Sequence, residues 1–284
     1  MIGVDIGGTN LLVGRIENNK VVERAHEHVV DGCDFEEVVK QTCNLIKTVG
    51  GSKVDHLGIA VAGGVDCHSG LVLRAENLNW DNVPLGPRIA ENLGCKVVIE
   101  NDVTAAAWGE FCFGSGKDVE SMFAVWVGTG IGGGLILNSN IWRGPLGTAG
   151  EFGMGISSSQ MKANHFRTLE SIASRSGMQR VLSRATLTTK EIAAGYRTDE
   201  DITSAVDESA RRIGTAIANV VTLLSLNRVV LGGGMVEALG DHYIEAIRNQ
   251  FSDDVFPEHC KQCSIRTTTL GPDAGILGAA SLAQ

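Results

Sequence analysis

The sequence predicts an α/β chain of two duplicated βββαβα halves around a central cleft. Two observations carry this. Asp5-Ile6-Gly7-Gly8-Thr9-Asn10 and, far downstream, Gly128-Thr129-Gly130-Ile131-Gly132-Gly133-Gly134 each lie between apolar runs, the pattern of strand, tight turn, strand. Around each hairpin the same order of strand, helix and strand patterns is met. Glycine permits φ > 0 and removes the Cβ that would keep a ligand away, so the freed N–H groups can converge on an anion. Two such hairpins, with a third cluster at Gly232-Gly233-Gly234, suggest a nucleotide gripped at its phosphates from two sides.

The elements follow in order. Residues 2–31 alternate as three strands, Ile2–Ile6, Leu11–Ile16 and Val21–Val29. Phe35–Thr48 carries helical periodicity in Phe35, Val38, Val39, Leu45 and Ile46, and Asp34 with Glu37 gives it a box-like start. Leu57–Val61 is a strand ending in Ala62-Gly63-Gly64, Leu71–Arg74 a short strand and Pro87–Leu93 a helix. Lys96–Ile99 is a strand delivering Glu100-Asn101-Asp102, and Val103–Phe111 a helix rich in alanine. Met122–Val127 begins the second set. Residues 145–165 read as loop with short elements, then Leu169–Ser174, Gly177–Ser183, Thr189–Ala194 and Thr203–Leu226 as helices. Asn227–Leu231 is a buried strand, Ala238–Phe251 a helix, Ser264–Thr269 a strand and Pro272–Ala283 a closing helix that crosses back to the first half. The domains expected are residues 1–110, completed by the helix at about 272–284, and a larger C-terminal domain of 111–271. Ligands belong in the cleft between the halves.

Composition narrows the function. The 284 residues are enough for two domains and a well-buried core, and 43% hydrophobic with 20% charged residues is ordinary for a soluble protein. A net charge of -9 without a basic patch argues against nucleic-acid binding. No apolar run reaches the length of a membrane span, and Met1-Ile2-Gly3 enters a strand with no leader. Seven scattered cysteines read as reduced thiols in a cytoplasmic protein. Cys260-x-x-Cys263 beside His259 has no second cysteine pair and reads as thiols on a surface turn rather than a metal site. Gly128-x-Gly130-x-x-Gly133 matches the dinucleotide fingerprint as a string, but the apolar stretch Leu135-Ile136-Leu137 follows where a helix is required. Gly116-Lys117-Asp118 is no P-loop, since Ser or Thr must follow the lysine.

Asp102 is the leading candidate base. It stands where an apolar strand ends and a helix begins, and phosphoryl transfer to an alcohol needs a carboxylate within reach of the hydroxyl proton. The competing reading makes Asp102 a helix cap, which aspartate does well. Asp5 lies inside an apolar strand directly before a glycine turn, where a carboxylate is costly unless paired or near a metal. Mg²⁺ arriving on ATP, mostly hydrated, would supply that partner. Glu151 and Glu170 flank the irregular loop and could accept hydrogen bonds from sugar hydroxyls, although either alone is more often a solvated surface glutamate.

The motifs together resemble the ROK family of sugar kinases, repressors and related proteins. Asp5–Asn10, Glu100-Asn101-Asp102-Val103, Gly128–Gly134, Ala149-Gly150-Glu151-Phe152-Gly153 and Leu231-Gly232-Gly233-Gly234 appear in family order and cover essentially the whole chain. The resemblance implies the two-domain actin-like ATPase (ribonuclease H-like) fold and phosphorylation of a hexose by Mg-ATP, with a homodimer as the expected assembly. It implies Asp102 as the base and Gly63, Asn77, Asn101, Glu151 and Glu170 as sugar contacts. Gly7, Gly8, Thr9, Asn10, Thr129 and Gly130 match the phosphate turns, with Asp5 beside them, and Gly233 and Gly234 match the adenosine site.

Departures from the family pattern bear on function. Asn10 stands where lysine is commoner, which reduces the charge at the phosphate end. Met154 occupies the family's histidine position after Glu151, and Gln160–Thr168 lacks the cysteine cluster around a structural zinc, so no zinc is expected. His165 is the only nearby imidazole, and one ligand cannot hold zinc. Repressor members carry an N-terminal DNA-binding domain, for which there is no room before Gly3. Two classes of function remain: an ATP-dependent hexose kinase, or a non-catalytic sugar or nucleotide sensor of the same fold. Fold alone does not choose between them. Asp102 together with both phosphate turns favours the enzyme. The acceptor could be glucose, N-acetylmannosamine, fructose or allose.

Overall fold

A computed structural model describes residues 1–29, 34–50, 54–157 and 167–284; His165 lies outside them. In chain order the elements are β1 (Ile2–Ile6), β2 (Asn10–Glu17), β3 (Lys20–His28), α1 (Phe35–Gly50), β4 (His56–Val61), β5 (Gly64–Asp66), β6 (Leu71–Ala75), β7 (Trp80–Val83), α2 (Leu85–Leu93), β8 (Lys96–Asn101) and α3 (Asp102–Phe113). There follow β9 (Met122–Val127), β10 (Ile131–Leu137), β11 (Asn140–Ile141), α4 (Leu169–Ala173), α5 (Arg175–Val181), α6 (Thr189–Gly195), α7 (Glu200–Leu224), β12 (Arg228–Gly232), α8 (Gly234–Asp254), β13 (Ser264–Thr267) and α9 (Ala274–Leu282). The chain forms two compact units. The first holds Met1–Asp118, Ile141–Ala149 and Thr269–Gln284, the second Val119–Asn140 and Gly150–Thr268.

In the first unit the main sheet runs β3-β2-β1-β4-β8. β1 is antiparallel to β2 and parallel to β4, which is parallel to β8. One face carries Val4, Ile6, Leu57, Ile59 and Ile99, all buried, in a cluster with Val38, Val39 and Ile46 of α1. Fully burying one such side chain contributes about 1.5–3 kcal/mol. The opposite face is built for close approach. A Cβ on Gly3 or Gly58 would overlap the backbone of Ile276 or Ala279 in α9, so glycine in the strands lets a helix of small residues lie directly on the sheet. Register puts Leu12, Asp5, Ala60 and Glu100 in one row across this face. A separate three-stranded sheet, β5-β6-β7, follows β4; its strands Gly64–Asp66 and Trp80–Val83 are too short and polar to show a period of two.

The second unit repeats the topology with different packing. Its sheet runs β11-β10-β9-β12-β13, β9 antiparallel to β10 and parallel to β12, which is parallel to β13. Here α7 and α8 supply large side chains: Ile213, Ile217, Tyr243 and Ile247 cluster with Val125, Val229 and Leu231. The buried hydroxyls are paired, Ser209 Oγ lying 2.7 Å from Tyr243 Oη and 2.8 Å from the Ala173 carbonyl.

Helix α8 opens at Gly234 rather than at Ala238, and it is broken at Gly240, whose φ is 65°. Glycine is a poor helix former, which hides such a start in the sequence. Cys263 is buried rather than on a surface turn: it packs into the second unit's core, and burial pushes its thiol up to about 12. Among the described residues no helix is long and apolar enough to cross a membrane.

Candidate active site

Asp102 is not the cap of its helix. Strand β8 runs on to Asn101, whose side-chain Oδ1 accepts from Thr104 N at 3.0 Å and so caps α3. Asp102 is the first helical residue. Its Oδ1 accepts from Asn101 Nδ2 at 3.0 Å and from Val103 N at 2.9 Å. Burial raises the Asp102 pKa, against the lowering influence of these donors. A desolvated carboxylate is a stronger base than one in water.

The same Asn101 amide nitrogen also donates to the Gly63 carbonyl at 3.1 Å, which brings Gly63, Asn101 and Asp102 together. Asn77 joins the other edge of this unit's site, because a Cβ on Gly8 would lie 2.6 Å from Asn77 Cβ. The first glycine turn is closed by Gly7 N to the Asn10 carbonyl, 2.8 Å. Thr9 and Asn10 are exposed; Asn10 Nδ2 donates to Thr9 Oγ1 at 3.2 Å, and His26 Nε2 lies 3.1 Å from Asn10 Oδ1.

Asp5 sits one turn of chain before these residues, in the row shared with Glu100. Burial, then the nearby Asp102 carboxylate, raises its pKa to about 7. Glu100 is buried and accepts from Arg143 Nε at 2.8 Å and from Arg143 Nη2. Its other oxygen accepts from Asn101 N at 3.0 Å. Arg143 lies in the segment Ile141–Ala149, which belongs to the first unit. A chain of contacts therefore runs from Arg143 through Glu100 and Asn101 to Asp102. The sequence reading missed Arg143, because a lone arginine in a glycine-rich loop carries no signal of a partner 43 residues earlier.

The second unit assembles the remaining residues. Glu170, in the first turn of α4, accepts from Ile131 N through Oε2 at 2.8 Å, so its carboxylate is held at the Thr129–Gly130 turn. Arg175 Nη2 donates to Thr129 Oγ1 at 2.8 Å, and Arg175 N donates to the Gly128 carbonyl at 3.0 Å. Arg175 also escaped the sequence reading, its partner lying 46 residues away. Gly233, with φ of 95°, follows β12 and precedes α8 directly. A side chain there would be strained and would press on Val127. Gly234, exposed, starts the helix with open space beside it. Glu151 is exposed just before the turn Phe152–Met154, and Met154 is half exposed.

A sheet order met twice, a glycine hairpin at each first strand and a part-buried carboxylate at a helix start are the features of the two-domain actin-like ATPase fold. The ROK family model matches residues 1–284, and the chain belongs to that family. Among its relatives is a glucokinase of Halalkalibacterium halodurans, 30% identical over 98% of this chain and 92% of the relative. An N-acetylmannosamine kinase of Haemophilus influenzae is 27% identical over 98% and 93%. Among solved structures, a ROK family glucokinase from Streptomyces griseus in complex with glucose and AMPPNP matches with TM-score 0.86 and 28% identity, covering 100% of this chain and 98% of that one.

Proposed function

We propose that this chain is an ATP-dependent hexose kinase that transfers the γ-phosphate to a sugar hydroxyl, the 6-hydroxyl of glucose or of a related (N-acetyl)hexosamine. The observation that carries the reading is Asp102, a desolvated carboxylate held by Asn101 and Val103 with one glycine turn in the same unit. The glucokinase and N-acetylmannosamine kinase relatives support the substrate class.

In this reading Asp102 takes the proton from the attacking hydroxyl, and Asn101, Gly63 and Asn77 orient the sugar, with Glu151 and Glu170 from the second unit. Gly7, Gly8, Thr9, Asn10, Thr129 and Gly130 receive the phosphates, and Gly233 and Gly234 the adenosine. Asp5, in the strand directly before the first glycine turn, would be the residue to hold a hydrated Mg²⁺ arriving with ATP. When bound, the ion would neutralise phosphate charge. The same reading expects a cytoplasmic homodimer without structural zinc.

Coupled ADP release across a panel of hexoses tests the proposal. Turnover is expected with glucose or an N-acetylhexosamine. A folded protein that binds sugar yet releases ADP with none of them would be a sensor instead.

A further inference from the structure

Arg175 is a cation at the Thr129–Gly130 turn, which also holds the Glu170 carboxylate through Ile131 N. Its guanidinium reaches Thr129 Oγ1 at 2.8 Å, at the exposed tip of the β9–β10 hairpin. Its Nε is buried and has no hydrogen-bond partner, and no carboxylate among the described residues forms an ion pair with it. Burying a guanidinium nitrogen without a partner is costly, and the residue is fixed there by its own backbone, since Arg175 N donates to the Gly128 carbonyl and Ser176 N to the Thr129 carbonyl. Helix α5 thus starts on the turn itself. At the other glycine turn Asn10 stands at the end, bonded to Thr9 and close to His26.

We infer that Arg175 is a nucleotide-binding residue, which recognises the phosphate chain at the Thr129–Gly130 turn and sets the preference for a nucleoside polyphosphate. The inference rests on the kinase reading above. Guanidinium suits the role: it stays charged and presents several N–H groups to phosphate oxygens. Thr129 Oγ1 occupies one of those groups and aims the rest, while the turn supplies backbone N–H groups.

Calorimetric titration of ATP, ADP and adenosine into wild type and Arg175→Gln tests this without turnover. ATP affinity should fall roughly 10- to 100-fold, the range for hydrogen bonds to a charged group, ADP by less, and adenosine not at all. Arg175→Lys, which keeps the charge, should lose less at each ligand in the same order. Circular dichroism verifies folding, and Arg175→Lys carries the comparison if Arg175→Gln does not fold. Equal losses for adenosine and ATP, or no loss for ATP, would overturn the inference while leaving the kinase reading intact. Wild-type protein that binds neither ATP nor ADP would overturn both.

Discussion

The two units share a sheet order and differ in what they place at its glycine hairpin. In the first, the hairpin Gly7–Asn10 is accompanied by three carboxylates, Asp5, Glu100 and Asp102, with Arg143 balancing only Glu100. In the second, the hairpin Gly128–Gly133 meets Glu170 from α4 and Arg175 from α5. The packing diverges in the same way. Gly3 and Gly58 let α9 lie on the first sheet, whereas α7 and α8 cover the second with isoleucine and tyrosine. Duplicated topology therefore supplies two glycine turns, proposed to hold phosphates, with different residues grafted beside each. In the proposed reading the first unit adds a base beside its turn, and the second adds a cation beside its own.

The sharpest way to break this contrast is to remove the base. Asp102→Asn should lower kcat by about 10²–10⁴-fold, measured by coupled ADP release at saturating sugar and ATP. Near-normal turnover in the folded variant would make Asp102 a structural residue.

The next effect concerns how the base is held. Arg143→Gln leaves the buried Glu100 without its cation and loosens Asn101 and Asp102; turnover should fall roughly 10- to 100-fold, as misplacement of catalytic groups does. The double variant with Glu100→Gln should be no worse than Arg143→Gln alone, because both act through one chain of contacts. Additive losses, with a raised sugar KM, would mean that Arg143 touches the substrate directly.

A smaller effect lies in stability. Asp5 has a folded-state pKa raised to about 7, so the native state holds a proton that the unfolded chain gives up near pH 4. Its contribution to stability is fully present below about pH 4 and is lost as pH rises through about 7. Thermal melts should show a smaller fall in Tm between pH 5 and pH 8 for Asp5→Asn than for wild type. Identical slopes would place the pH dependence elsewhere.

Much of this arrangement was legible in the sequence, and the rest had physical reasons to hide. The β1–β2 and β9–β10 hairpins were readable because apolar alternation and glycine turns are local signals. The sheet β5–β7 was only partly readable, since Gly64–Asp66 and Trp80–Val83 are short and lack alternation. The boundary at Asn101 was misplaced because both Asn101 and Asp102 are good capping residues, and only the geometry shows which one accepts from Thr104 N. Arg143 and Arg175 were invisible for a different reason. Each takes its meaning from a partner brought near by the fold, Glu100 in one case and Thr129 in the other.

The central claim is that Asp102 serves the chemistry and not the nucleotide grip, and one titration addresses it most directly. Glucose and AMPPNP are titrated calorimetrically into Asp102→Asn and into wild type. The account predicts that both ligands bind the variant with affinities within a few-fold of wild type, a difference of roughly 1 kcal/mol or less, although its turnover is lost. Loss of AMPPNP binding in Asp102→Asn would contradict the account, because the carboxylate of the first unit would then be part of the nucleotide grip.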